Sequence, residues 1–328
     1  MMEPFAVVFA REAYARALAN TLPIRNATVA SRSELIAAIS RYRPQFIYVD
    51  VELKNQIDGA IQGIPLIGLV EGGLPGFLRA LHQFPDMSHV MNPGMLATSL
   101  ARPTLARFHE RLARGAAFHV LGSEGKGRVA LLSSSSRREG RLERLREFFE
   151  QHEMGSRTVR SLSDIAEELI TNALYDAPVE AGYYPRAVSR TTPVDLPPQH
   201  ACEVSYAFDR GSGFVRIRDP FGAFDRARMF NVLDRCNTAG GNVQLDESRG
   251  GAGLGLWRVF TNASMVAITV IPGRLTDMIA WIDPMKKRQL NAISMIFPMI
   301  RGDGTLGRFA GDQDHDLMDD SFTALVPP

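Results

Sequence analysis

Short apolar runs alternate with helix-like segments over the first third of the chain. An unbroken apolar run is typical of a strand buried on both faces, as in a parallel sheet covered by helices. Between the first two runs, Ser31 to Glu34 matches a capping box, and the helix that it opens has Leu35, Ile36 and Ile39 on one face. The apolar runs are residues 5–9, 46–49, 64–70 and 89–91. The pattern predicts a doubly wound parallel sheet over residues 1–115.

A different pattern begins near residue 126, where charged amphipathic helices precede alternating strands. A strand at 129–132 leads into a helix over 137–152, and a second helix opens at Ser163. Past a proline-rich insertion, apolar and polar positions alternate on both sides of a turn at 209–213, which predicts an antiparallel hairpin. Further strands are predicted at 265–271, 278–282 and 293–297. The pattern therefore predicts an α/β sandwich, an antiparallel sheet with helices on one face, over residues 116–300.

Composition and charge disfavour several classes of protein. With 328 residues and 45% apolar content, the chain can fill two sizeable cores. A net charge of +1 provides no basic field, so neither nucleic acid nor a membrane is expected as the main partner. No apolar run is long enough to span a bilayer, and Cys202 and Cys236 lack metal-ligand spacing, so we expect a cytoplasmic protein with two free thiols. Residues 301–328 are rich in Gly and Asp and are expected to form a flexible acidic tail.

Glu168 and Asn172 lie four residues apart in a segment with helical periodicity. At that spacing both side chains point from one face of a helix into the same space. A carboxylate and an amide placed in this way can orient a water or hydroxyl and ligate Mg²⁺ beside a triphosphate. The alternative is an ordinary polar face on a solvated helix, and this motif alone does not distinguish the two.

Two further motifs follow in order along the chain. Asp219 ends the second strand of the predicted hairpin, where its carboxylate can accept a hydrogen bond from the amino group of adenine; an ordinary turn is the alternative. From Arg249 to Leu256, four of the eight residues are glycines, and a backbone without side chains can wrap closely around a phosphate chain. Together the three motifs point to a nucleotide site.

The order, spacing and placement of these motifs resemble the GHKL ATPase superfamily of gyrase, heat-shock chaperones, histidine kinases and mismatch-repair proteins. The resemblance covers roughly residues 126–298 and is nearest to anti-sigma-factor serine kinases and to the catalytic domains of histidine kinases. It implies that Glu168 is the general base or water-orienting residue and that Asn172 ligates Mg²⁺. It also implies that Asp219 recognises adenine above a turn shaped by Gly222. The backbone that would cradle the ATP phosphates, at the start of a helix, contains Gly251, Gly253, Leu254 and Gly255.

Two departures from that superfamily bear on catalysis. The usual Asp-x-Gly-x-Gly is replaced by Asp219-Pro-Phe-Gly222-Ala, which alters the adenine pocket. Tyr175 and Asp176 stand where histidine kinases commonly have Lys or Arg and an aromatic or histidine, which adds negative charge near a bound nucleotide. Nucleotide binding is therefore a firmer prediction than turnover. Residues 224–249 occupy the place of the superfamily's mobile lid over ATP, although a helix followed by a plain loop has the same features.

The first unit resembles a response-regulator receiver domain, because Asp50 follows a buried strand as a phosphoacceptor does. A receiver needs an acidic pair after its first strand, a hydroxyl after its fourth and a lysine after its fifth, to hold Mg²⁺ and neutralise the acyl phosphate. The residues at those three places are Ala10-Arg11, Val70 and Asn92. We therefore expect a degenerate receiver that serves in docking or dimerisation, with Asp50 not phosphorylated.

These observations lead to three hypotheses. The first is a signalling protein in which the degenerate receiver positions a Mg-ATP-binding module. That module phosphorylates a partner protein, on serine or threonine rather than histidine, or sequesters it according to nucleotide state. The second is a non-catalytic scaffold, with or without nucleotide. The third is a histidine kinase that phosphorylates itself on His109; the missing acceptor helix pair disfavours it, and a surface histidine on a charged linker helix is expected instead. The resemblances also imply a homodimer.

Overall fold

The computed structural model of the chain describes residues 5–57, 61, 63–85, 87–97, 105–106, 109, 126–209, 211–238, 254–283 and 289–296. Within these residues the strands are β1 Phe5–Phe9, β2 Arg25–Val29, β3 Phe46–Asp50, β4 Leu66–Leu69, β5 His89–Met91, β6 Lys126–Leu132, β7 Cys202–Asp209, β8 Ser212–Asp219, β9 Met265–Ile271, β10 Leu275–Ile282 and β11 Ala292–Ile296. They form one mixed sheet in the order β2-β1-β3-β4-β5-β11-β9-β10-β8-β7-β6. The fold is therefore mixed α/β.

Helices pack on both faces of this sheet. Those that the structure describes are α1 Glu12–Thr21, α2 Arg32–Tyr42, α3 Gly73–Gln83, α4 Arg138–Gln151, α5 Ser156–Thr171, α6 Ala177–Glu180, α7 Arg226–Thr238 and α8 Leu254–Asn262. One apolar core joins α2, α3, α4, α5, α7 and α8 to what we call the helical face of the sheet. A second core joins α1 to the opposite face, which we call the rear face.

The first five strands are parallel, and the apolar runs of β1, β3, β4 and β5 predicted this arrangement. Strand β2 was not predicted, because its sequence Arg-Asn-Ala-Thr-Val has no apolar run. It lies at the edge of the sheet, where it pairs on one side with β1. An edge strand needs less apolar surface than a central one, so the apolar pattern there is weak.

Strands β6, β7, β8, β10 and β9 are antiparallel neighbours, as predicted. Strand β11 differs, because it pairs parallel with β9, so this part of the sheet is mixed rather than wholly antiparallel. Helix α5 also begins earlier than predicted, at Ser156 rather than Ser163. The earlier turns carry buried Val159 and Leu162, which extend the apolar stripe of the helix.

The two halves of the chain share this sheet through a pairing that was not predicted. Strand β5 pairs antiparallel with β11 over three residues. On the helical face, Arg226 of α7 donates to the carbonyl oxygens of Pro85, at 3.0 Å, and Met87, at 3.3 Å. His82 of α3 lies with its Nδ1 3.3 Å from Asp234 Oδ2 of α7. Helix α7 therefore docks directly against the first half of the chain.

His109 is buried, which contradicts the expected surface histidine. Its imidazole is hydrogen-bonded through Nε2 to the hydroxyl of Tyr48 and stacks on Phe46 with ring centroids 4.9 Å apart. Burial lowers the pKa of His109 to about 4. A neutral ring enclosed on the rear face is poorly placed to accept a phosphoryl group, which argues further against the autophosphorylating kinase.

Asp50 is fully buried at the carboxyl end of β3. Its carboxylate is paired with the Arg11 guanidinium, and Asp50 Oδ1 accepts a hydrogen bond from the backbone N–H of Glu52 at 3.2 Å. Arg11, which replaces one of the acidic metal ligands of a receiver, therefore forms an ion pair with the Asp50 carboxylate. This arrangement agrees with the expectation that Asp50 is not an acceptor, which stays a prediction.

No helix in the described ranges has the length and apolar character needed to cross a membrane. Those ranges also contain no group of three or more His, Cys, Asp and Glu side chains able to hold a metal ion. Cys202 and Cys236 are free and buried. The predicted acidic tail and residues 239–249 of the predicted lid lie outside the described residues, while most of the described part of the lid segment forms α7.

Candidate functional site

A cleft opens on the helical face, between α5 and α7 and above strands β8 and β10. Its polar side chains fall into three groups. One lies on α5 and its helical continuation, one lies where β8 ends beside β10, and Asp225 and Arg228 lie at the start of α7. The apolar side chains that line it include Ile217, Phe224, Met229, Val232, Leu256 and Met278. A ligand with a flat apolar body and a polar group at each end fits this distribution.

Glu168, Asn172 and Asp176 line the cleft from the α5 side. Helix α5 ends at Thr171, and residues Asn172–Asp176 form a π-helical segment that leads into α6. Pro178 near the start of α6 has no N–H to continue α-helical bonding, and the wider π turn accommodates it. In a regular α-helix, eight residues advance the helix face by about 80°. The wider turn cancels part of that rotation, so all three polar side chains stay together.

Asn172 lies between the two carboxylates. With its amide nitrogen turned toward them, Asn172 donates to Glu168 Oε1 at 3.1 Å and to Asp176 Oδ2 at 3.0 Å. The hydrogen-bond network requires this orientation, because the reverse places oxygen against oxygen. The amide oxygen then faces away from both carboxylates, where it can serve as a ligand for a hard cation such as Mg²⁺.

Arg190 reaches the same carboxylates from the proline-rich insertion. Its Nη2 lies 3.0 Å from Asp176 Oδ2 and 3.8 Å from Glu168 Oε1. Arg190 was not among the predicted site residues, because the insertion has no periodicity that places its side chains relative to α5. One signal in the sequence could have pointed to it. Asp176 has no Lys or Arg beside it on the same helical segment, so a cation from elsewhere in the chain was to be expected.

Glu168 is largely enclosed, with 16% of its side chain exposed. Burial raises the pKa of Glu168, as do the nearby Asp176 and Glu167, while Arg190 and Arg258 lower it. The carboxylate lies directly over Gly255 at the start of α8, since a Cβ built on Gly255 would be 1.7 Å from Glu168 Cδ. The missing side chain at position 255 therefore provides the space that the Glu168 carboxylate occupies.

Asp219 lies where β8 ends and is 6% exposed. Burial raises its pKa to about 6, although the hydrogen bond that Asp219 Oδ1 accepts from the backbone N–H of Phe221 at 3.0 Å opposes the rise. Thr276 stands directly opposite Asp219 in the β8–β10 register, and both line the cleft. Thr276 was also missed by the sequence analysis, because the partner of Asp219 depends on a strand register that the sequence leaves open.

Gly222 shapes the turn after Asp219 in two ways. Its φ is +57°, a conformation that L side chains rarely adopt. A Cβ at this position would also lie 2.1 Å from the carbonyl oxygen of Ile271 and 2.6 Å from the backbone nitrogen of Arg274. The turn therefore packs against the β9–β10 hairpin and holds Asp219 in the cleft.

The structure brings Glu168, Asn172 and Asp219 to one cleft, with Gly255 beneath Glu168 and Gly222 beneath Asp219. Leu254 is the first residue of α8, whose N-terminal turn lies beside Glu168. Gly251 and Gly253 lie outside the described residues. These side chains fit an adenine nucleotide with Mg²⁺. The buried Asp219 carboxylate lies beside the apolar walls, and the Glu168 carboxylate and the Asn172 amide lie beside the N-terminus of α8.

No protein-family model matches this chain, and no curated protein matches it. Among solved structures, the SiaB–SiaC complex from Pseudomonas aeruginosa is similar over 55% of this chain and 99% of the matched chain, with 17% sequence identity and a TM-score of 0.32. A similarity of that size supports no conclusion about function, so the cleft itself is the basis for the proposal below.

Proposed function

We propose that this chain is a signalling protein that binds Mg-ATP in the α5–α7 cleft and phosphorylates or sequesters a partner protein. One observation carries the proposal. An apolar cleft joins a buried carboxylate at the end of β8 to the Glu168–Asn172 pair, which lies against a helix N-terminus. The superfamily resemblance adds the order of the motifs to this geometry.

Each residue has a role that follows from its place. Asp219 would accept a hydrogen bond from the amino group of adenine, and the apolar walls would enclose the ring. Asn172 would hold Mg²⁺, which supplies positive charge at the phosphates. Glu168 would accept the proton of an acceptor hydroxyl or water, and burial favours this role because it raises the pKa of the carboxylate.

The first half of the chain is well placed to respond to the state of the cleft. Helix α7 supplies Met229 and Val232 to the cleft wall and is bonded to the first half through Arg226. A rearrangement of α7 on ligand binding would therefore reach α3 and the loop before β5. The partner and a homodimer contact are proposed to use this first half.

A non-catalytic binding module is the second candidate. It is favoured by the Asp176 carboxylate beside the proposed phosphate position and by the contacts that Arg190 and Asn172 make with Glu168. Both contacts are made to Oε1, and a cation and a hydrogen-bond donor there make the carboxylate a weaker base. The module would hold nucleotide, or a partner, without turnover.

Calorimetric titration of the full chain with Mg-ATP tests the proposal. We expect micromolar binding, about −8 kcal/mol, and at least a tenfold loss in Asn172→Ala because the proposed metal ligand is removed. Asn231→Ala, an exposed asparagine on α7, is the matched control and should bind as the wild type does. Absence of ATP binding by the wild-type chain would reject the proposed function.

The pH dependence of adenosine binding tests Asp219 separately. Adenosine carries no phosphate, so the carboxyl with a pKa of about 6 is the group expected to titrate. A ligand amino group prefers the ionised carboxylate, so affinity should fall below pH 6 and approach a tenfold loss per unit. Asp219→Asn should bind more weakly but with a flat profile.

The expected fall in adenosine affinity at low pH would not arise from unfolding caused by protonation of Asp219. Because its pKa is raised from 3.8 to about 6, its contribution to stability is full below pH 3.8 and is lost as the pH rises through 6. Acidification therefore strengthens the contribution of this group to folding while it weakens binding. Equal adenosine affinity at pH 7.5 and pH 5 would show that Asp219 does not contact the ligand.

A further inference from the structure

The proline-rich insertion brings Arg190 to the two carboxylates that lie at the acidic end of the cleft. Glu168 and Asp176 place two carboxylates there, and Arg190 Nη2 lies 3.0 Å from Asp176 and 3.8 Å from Glu168. The Nε of Arg190 is buried and has no hydrogen-bond partner among the described residues. A buried guanidinium donor without an acceptor is costly, and an anionic ligand would satisfy it.

The insertion is anchored to the rest of the protein just after Arg190, and a local contact spans Arg190 itself. The hydroxyl of Tyr175, in the π segment, donates to the carbonyl oxygen of Thr192 at 2.9 Å. The backbone N–H of Val194 donates to Ser135 Oγ at 2.9 Å, and the Ser189 and Thr191 hydroxyls are hydrogen-bonded at 2.8 Å. Arg190 is thus carried on an anchored segment, and its ion pair with Asp176 sets the direction of its guanidinium.

Charge explains why this position needs a cation. Two carboxylates beside the proposed phosphate position would repel a polyphosphate, and in a partly buried cleft that repulsion is poorly screened by solvent. Guanidinium is planar, stays charged, and offers several N–H donors that match phosphate oxygens. The 3.8 Å contact with Glu168 is also longer than a hydrogen bond, so Nη2 can exchange it for a phosphate oxygen.

We propose that Arg190, oriented by Asp176, contacts the phosphate tail of the nucleotide and makes the cleft select ATP over nucleosides. The inference rests on the proposed function, since it assigns a specificity role within that cleft. Asp176 acts through Arg190 and is a positioning residue. The proline-rich insertion then serves to deliver a phosphate contact that α5 itself lacks.

Calorimetry with Mg-ATP, Mg-ADP and adenosine on the full chain tests Arg190. We expect Arg190→Gln to lose at least tenfold in ATP affinity, less in ADP affinity and nothing in adenosine affinity. Arg190→Lys should recover part of the loss for ATP, because it keeps the charge but not the planar fork. Arg186→Gln, the same substitution at an exposed position of the same insertion, should match the wild type. Thermal melting of each variant checks that the fold is kept.

The outcomes separate this inference from the function on which it rests. Unchanged ATP affinity in Arg190→Gln, with normal binding by the wild type, would overturn the Arg190 role and leave the nucleotide site standing. An equal loss for ATP and adenosine would show a structural role instead. If the wild-type chain binds neither ligand, the proposed function fails and the Arg190 role fails with it.

Discussion

Replacing Gly255 by alanine is expected to weaken Mg-ATP binding at least tenfold, about 1.4 kcal/mol, while leaving the fold intact. A methyl group at this position would lie 1.7 Å from Glu168 Cδ and 1.9 Å from both carboxylate oxygens. These atoms are the end of a flexible side chain, so the clash is relieved by moving the carboxylate. That movement also removes the acceptor to which Asn172 donates, and the proposed metal ligand loses its orientation.

The stability of the Gly255→Ala variant should be close to that of the wild type. Alanine is favoured over glycine within a helix by up to about 1 kcal/mol, and Gly255 is the second residue of α8. Gly222→Ala is the contrasting variant, since its Cβ would meet backbone atoms at a φ of +57°. We expect it to lose about 2–4 kcal/mol of stability, a fall of roughly 5–10 °C in melting temperature.

Calorimetry and thermal melting of the two glycine variants distinguish a functional glycine from a structural one. If Gly255→Ala binds Mg-ATP as tightly as the wild type, the Glu168 carboxylate has no part in holding the nucleotide. If it melts as early as Gly222→Ala, the contact beneath Glu168 is a packing contact, and the binding result carries no information about the site.

Much of the fold could be predicted because most strands here are either fully buried or half-buried. Most of the parallel strands are apolar runs in the sequence. In β7 and β8, apolar and polar residues alternate on both sides of a turn. The pairing of β5 with β11 could not be predicted, because both strands are short and buried on both faces, so no alternation of polar and apolar positions specifies a neighbour. Their one polar pair, His89 and Ser294, is recognisable only once the register places the two residues opposite each other. The edge strand β2 was missed for the opposite reason, since it is too polar.

The candidate site divides in the same way. Glu168 and Asn172 were predictable because helical spacing alone puts them on one face, and Asp219 because a strand end fixes its position. Arg190 and Thr276 depend on tertiary structure, one on the path of an irregular insertion and the other on a strand register. The superfamily and the roles of these residues stay predictions, and the cleft adds their proximity to the sequence argument.

Replacing Glu168 by glutamine is expected to have the largest effect on turnover. With water as the acceptor, hydrolysis of Mg-ATP by the full chain should fall by about 10²–10⁴-fold, which is the usual contribution of a general base. Glutamine keeps the shape of the side chain and can still accept a hydrogen bond from Asn172, so the dissociation constant of Mg-ATP should stay within about threefold. Glu167→Gln, an exposed neighbour on the same helix, is the control.

The Glu168→Gln measurement also decides between the two candidate functions. Loss of hydrolysis with binding retained identifies Glu168 as the base of a catalytic site, as geometry and burial suggest. Equal loss of both would make Glu168 a binding residue, since its carboxylate then supports the nucleotide and not the proton transfer. If the wild-type chain and the Glu168→Gln variant both bind Mg-ATP and neither hydrolyses it, the result points to the non-catalytic module. In that case the contacts of Arg190 and Asn172 with Glu168 Oε1 are the physical reason, because a nearby cation and a hydrogen-bond donor stabilise the ionised carboxylate and make it a weaker base.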